Sequence, residues 1–151
     1  MQNNVTPKII AEYFLTKEAM TQKKIQKLVY YAYSWYIVNN NDNAENINKV
    51  LFTEKPQAWV HGPVFPSLYE EYKQYKRNNV PKVNESILEK SKLSEFLDQI
   101  WNVFGKFDGD ELEFMTHNEA PWINARNGIS AIEPSITEIS LKDIYNYYSS
   151  I

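Results

Sequence analysis

Apolar side chains recur at Ile25, Leu28, Val29, Ala32, Trp35 and Tyr36. These steps of three and four place all six on one face of an α-helix. Thr21 stands before the run as a side-chain cap. The polar stretch Asn39-Asn40-Asn41-Asp42-Asn43 closes it as a connection between elements. Such a helix has to be covered by others along its stripe, so the chain is expected to be mainly helical. Tyr30 falls off the stripe and is expected at the surface as a partner-facing aromatic. Lys23, Lys24 and Lys27 are expected on the wet side of the first turns.

The remaining punctuation fits that class. Thr6-Pro7 opens a first helix, with Ile9, Ile10, Tyr13 and Phe14 on one face. Pro66 starts another, carrying Leu68, Tyr72 and Tyr75 inward. A further helix runs from about Ser91 through Phe96, Leu97, Ile100, Trp101, Val103 and Phe104 to Gly105. Asp108-Gly109-Asp110-Glu111 has the form of a capping box. Pro121 suits the first turn of a short helix, and Ser140 opens a terminal one striped by Leu141, Ile144, Tyr145 and Tyr148. Lys49–Thr53 and Gln57–Val60 are short apolar runs around Glu54-Lys55-Pro56, expected as a small hairpin. The expectation is a compact bundle of about six to seven helices, with a small β-hairpin near residues 49–60. No repeat or flexible linker divides it, so residues 1–151 are expected to form one domain.

Several function classes are disfavoured. The chain has no cysteine, which removes thiolate catalysis and Cys-ligated zinc. The first residues lack a leader pattern and no apolar run approaches a membrane span, so a cytoplasmic protein without membrane insertion is expected. The net charge of −3 argues against a nucleic-acid partner. Met1–Arg77 holds ten Lys/Arg against seven Asp/Glu, a net of +3; Asn78–Ile151 holds six against twelve, a net of −6.

Two segments are unusually dense in special residues: Ala58-Trp59-Val60-His61-Gly62-Pro63-Val64-Phe65-Pro66 and Thr116-His117-Asn118-Glu119-Ala120-Pro121-Trp122. His61, His117 and Glu119 have the right chemistry for a two-histidine, one-carboxylate metal site and a metal-dependent hydrolase. Their spacing matches no established ligand motif. No activated nucleophile or phosphate-binding glycine loop accompanies them. Architecture explains the residues better. Gly62 supplies backbone freedom, Pro63 and Pro66 fix the path, and Trp59 and Trp122 anchor the segments in the core. Glu119 is expected to meet the free N–H groups of the helix start that Pro121 marks. A groove where the segments meet is a candidate for binding a partner peptide. No catalytic residue, metal or cofactor is assigned.

Taken in order along the chain, these segments resemble the Panacea domain family, also described as SocA-like antitoxins and phage-associated GepA-like proteins. The resemblance rests on Lys24-Ile25-Gln26-Lys27-Leu28-Val29-Tyr30-Tyr31-Ala32, then Ala58 to Pro66, then Leu68-Tyr69, and then Leu112 to Trp122 with its T-H-x-E-x-P-W core. The region Ile136–Tyr148 fits the usual ending. His61 stands where many relatives carry an aromatic. The motif positions carried over are Lys27, Leu28, Tyr30, Ala58, Trp59, His61, Gly62, Pro63, Val64, Pro66, Leu68, Tyr69, Leu112, Thr116, His117, Glu119, Pro121 and Trp122, with structural or partner-binding roles. The resemblance implies a bacterial or phage antitoxin that neutralises a neighbouring-gene toxin by direct protein–protein binding. It leaves an alternative, a proteolytic adaptor delivering the toxin to a ClpXP-type protease. Some members carry an added DNA-binding domain; in 151 residues one is not expected, nor is direct operator binding.

Overall fold

Thr6 and Thr21 cap the first two helices of the computed structural model, which describes residues 4–151. Helix α1 spans Pro7–Leu15, with the Thr6 hydroxyl accepting from the Ile9 amide at 3.2 Å. Strand β1 is Met20–Thr21, and helix α2 runs through Gln22–Asn40. Strands β2 (Gln57–Trp59) and β3 (Gly62–Val64) follow, then helix α3 (Pro66–Tyr72), a 3₁₀ turn at Lys73–Tyr75 and strand β4 (Asn79–Val80). Helices α4 (Lys92–Phe104), α5 (Gly109–His117), α6 (Ala120–Arg126) and α7 (Leu141–Tyr148) complete the chain. Seven α-helices and two two-stranded sheets, β1–β4 and β2–β3, are thus present among the described residues. The expected capping box is complete: Asp108 accepts from the Glu111 amide and Glu111 accepts from the Asp108 amide.

Helix α2 is the axis of the fold. Helices α1, α3, α4, α5 and α7 and strand β3 all pack on it. Every residue from Lys24 to Ser34 is buried, so the apolar stripe is only part of what is covered. A helix enclosed on all sides must bury whatever its other faces carry, and those polar atoms then need partners. Two expectations are corrected here. Tyr30 is 1% exposed, so it is a core residue and not a surface aromatic. Lys24 and Lys27 are not on a wet face; both are buried. The Lys24 ammonium donates to the Gly105 carbonyl at 2.7 Å and lies 5.2 Å from the Trp101 ring.

The hairpin forms later than expected. Val60-His61 is its loop, and Gln57, Ala58 and Trp59 pair with Val64, Pro63 and Gly62. Lys49–Thr53 is not a strand. Its Leu51 and Phe52 are buried plugs, and the Phe52 ring lies 5.2 Å from that of Tyr33. The other edge of β2 is taken from far along the chain: Ala58 N donates to Thr137 O and Ile139 N to Pro56 O, both at 2.8 Å. Gly105 does cap α4, but with φ −66° its backbone is right-handed. It is required because a Cβ there would lie 2.5 Å from the Trp101 ring. Tyr75 is only half-buried, in the turn after α3, and Val103 is 55% exposed. No helix among the described residues is long and apolar enough to cross a membrane.

Candidate functional site

The two dense segments lock onto each other. The Trp122 indole N–H donates to the Trp59 carbonyl at 2.8 Å, and the Trp122 ring stacks on His117 at 4.0 Å. Arg126, one turn along α6, is 3% exposed and sits 5.0 Å from the Trp122 ring. Its guanidinium donates to the carbonyls of Ala58 and Ser130, both at 2.9 Å, and to that of Glu133. A planar fork spreads its donors over separate nitrogens and so reaches carbonyls on both sides, whereas an ammonium holds its three donors on one nitrogen. Arg126→Lys is therefore expected to lower unfolding free energy by about 2 kcal/mol in urea melts, because buried carbonyls lose their donors. Trp122 anchors its segment as expected. Trp59 does not: its ring is half-buried, with the indole N–H on Gln57 and the ring edge-on to Tyr69 at 5.1 Å. Its backbone holds the fold while its side chain faces outward.

The α2 motif holds β3 in place. Gln26 donates to the Phe65 carbonyl at 3.1 Å and accepts from the Phe65 amide at 2.9 Å, pinning the start of α3. Lys27, 1% exposed, donates to the Pro63 carbonyl at 3.2 Å. Gly62 faces both elements. Its φ of +107° disfavours any side chain, and a Cβ there would lie 2.5 Å from Lys27 Cε and 3.0 Å from Thr116 Oγ1. Gly62→Ala is expected to cost about 2–3 kcal/mol from strain plus displaced packing, measurable by chemical denaturation.

Glu113 organises the charges around the hairpin. Its carboxylate accepts from Lys23 at 2.6 Å and meets His61 Nδ1 at 3.0 Å; His117 Nε2 lies 3.8 Å away. Burial pushes the Glu113 carboxyl up, but the hydrogen bonds from Lys23 and His61 outweigh it and hold it below the usual range. Burial pushes His117 down; Glu113 opposes that and Lys27 reinforces it. His117 Nε2 is enclosed without a hydrogen-bond partner. Lys27 is depressed to about 7, first by burial and then by Lys23, against the pull of Glu113.

Glu119 is elsewhere, so the His61–His117–Glu119 trio does not assemble. Its carboxylate accepts from Tyr31 at 3.0 and 3.1 Å and from Tyr148 at 2.7 Å; with its one proton on Glu119, the Tyr148 hydroxyl accepts from the Tyr30 hydroxyl at 3.1 Å. Glu119 is the N-cap of α6 but makes no side-chain cap bond, which corrects the expected helix-start role. Burial raises its pKa, and the two phenol donors oppose that. The arrangement ties α2, α6 and α7 together. Among the described residues, no group of three or more His, Cys, Asp or Glu is placed to hold a metal ion.

Above the α2 N-terminus lies an open groove of about 870 Å³. Among its lining residues, Gln26 and Lys27 come from the α2 motif, Trp59, His61 and Val64 from the hairpin, and Tyr69 from α3; the residues before α2, Lys76, Arg77 and the start of α5 complete it. Tyr69 is 39% exposed. The other motif residues serve packing. Leu28, Leu68 and Leu112 are in the core, Ala58, Pro63, Thr116 and Pro121 are buried, and Pro66 opens α3. The groove thus brings Lys27, Trp59, His61, Val64 and Tyr69 together, and leaves His117, Glu119 and Trp122 behind it as supports. The sequence assigns no role to Glu113 or Arg126, and Gln26 figures in it only as part of the α2 motif. Only Glu113 carried a usable signal, standing one helical turn before His117. The family model described as antitoxin SocA-like, Panacea domain, matches residues 25–123. No curated protein and no solved structure matches the chain.

Proposed function

The chain belongs to the SocA-like antitoxin family with its Panacea domain, and on that premise we propose that it neutralises a toxin from a neighbouring gene by direct protein–protein binding in the cytoplasm. One observation supports this most. The motif residues divide into a rigid support, Trp122, Glu119 and Gly62, and an open groove lined by the partly exposed aromatics Trp59 and Tyr69 and by cations that range from buried Lys27 to exposed Lys76 and Arg77. Rigid aromatic and cationic side chains on a preformed concavity suit partner binding. Lys27, Trp59, His61, Val64 and Tyr69 are the partner-facing motif positions in this proposal, and the whole of residues 1–151 acts as one domain. The test is growth of cells expressing the adjacent open reading frame under tight induction, with and without this protein. Arrest relieved only by coexpression is the expected result. A toxic neighbour that coexpression does not relieve would overturn neutralisation of that partner.

A further inference from the structure

We infer that the groove takes an extended acidic segment of the partner protein, one carboxylate seating toward Lys27 and others meeting Lys76 and Arg77, with an apolar side chain against Trp59 and Tyr69. The identity of the partner rests on the antitoxin proposal; the acidic chemistry rests on the groove alone. Its lining holds Lys23, Lys24, Lys27, Lys76 and Arg77 against Glu18, Asp108 and Asp110. All three acids are already engaged. Glu18 pairs with Lys24 at 3.3 Å, Asp110 with Lys23 at 2.9 Å, and Asp108 caps α5. Lys27, Lys76 and Arg77 form no ion pair among the described residues. The residual charge of the groove is therefore positive, and the N-terminal end of the 19-residue α2 adds to it.

Lys27 makes the case specific. An ammonium has three N–H donors, and this one has a single hydrogen-bond partner, the Pro63 carbonyl. Placing a lysine at 1% exposure with so little compensation is costly, and a fold that needed only packing there would do better with a methionine. Glu113 acts on it only from beyond ion-pair contact, and a carboxylate from a partner would supply a direct acceptor and counter-charge. The groove is far larger than a single small anion requires, and its aromatic wall suits side chains. Glu18, Asp108 and Asp110 keep their charge although engaged, leaving five cations against three acids; beside those acids a continuous phosphodiester backbone is disfavoured, whereas a peptide can space its carboxylates between them.

The test is fluorescence anisotropy with a fluorescein-labelled Glu-Leu-Asp-Phe-Glu-Glu peptide, its Gln/Asn counterpart, a single-stranded oligonucleotide and inorganic phosphate as competitor. The expected result is saturable binding of the acidic peptide, weakened about tenfold or more in the amide counterpart and in the Lys76→Glu/Arg77→Glu protein. Lys27→Met is expected to weaken it similarly, and Lys142→Glu, on α7, is expected to leave it unchanged. Equal binding of the amide peptide, no loss in the groove variants, tighter groove binding of the oligonucleotide, or full displacement by phosphate would each overturn the inference. The growth assay separates the two proposals. If the Lys76→Glu/Arg77→Glu protein, folded by circular dichroism, still relieves arrest, the groove assignment fails and neutralisation stands. If it no longer relieves arrest while wild type does, the groove assignment is supported. If wild type gives no relief, neutralisation fails, and the peptide titration still decides the groove.

Discussion

Glu119→Ala is expected to remove about 3–4 kcal/mol of unfolding free energy, enough to threaten folding at growth temperature. The substitution removes the shared acceptor of Tyr31 and Tyr148, and leaves the Tyr30–Tyr148 hydroxyl pair without its terminus. Buried phenols without an acceptor cost more than the bonds gain, because desolvation has already occurred. Glu119→Gln retains one carbonyl oxygen and is expected to lose less. Its pH behaviour separates the two effects. Burial raises the folded pKa of Glu119 above its ordinary 4.5. The folded state therefore holds that proton more tightly, and this contribution is fully present below 4.5 and is lost as pH rises through the folded pKa. Wild type minus Glu119→Gln, followed by urea melts across the acid range, should show that component. Equal pH profiles for the two proteins would contradict it.

Lys27→Met is expected to stabilise the protein at neutral pH, by about 2 kcal/mol, while impairing the groove. Its folded pKa of about 7 lies below the ordinary 10.5, chiefly through burial. The sign follows from the depressed value: the associated stability is complete above 10.5 and is lost as pH falls toward 7. Between pH 7 and pH 9 the wild type should therefore gain about 2 kcal/mol that the methionine variant does not. The difference between the two proteins cancels the other titrating groups and is the quantity to measure. A flat difference would mean that Lys27 finds its charge compensated in solution. A protein that becomes more stable and binds less well is the signature of a residue kept for its partner and not for the fold.

Much of the architecture was legible from local rules. The Thr6, Thr21, Ser140 and Asp108 caps all stand where the residues placed them. A cap is a contact between residues two or three apart, so the sequence carries both partners. The hairpin was misplaced by local rules for the same reason. Gln57–Trp59 has two short apolar neighbours as possible partners; it pairs with Gly62–Val64 on one edge and with the distant 137–139 segment on the other, and local pattern specifies neither.

The candidate site divides in the same way. Helical class, the two motif segments and the Trp122 anchor follow from residue type and spacing alone. Whether Tyr30, Lys24 and Lys27 face solvent or core does not, because periodicity reports which residues share a helix face and not how many faces are covered. Five other helices and a strand close around α2, and that enclosure turns a polar face into buried hydrogen-bonding chemistry. Likewise His117 and Glu119 are two residues apart in sequence, yet the end of α5 directs them to different clusters, one to Glu113 and the other to the tyrosines. Burial and long-range pairing are properties of the assembled fold, and they decided where the charge of this protein lies.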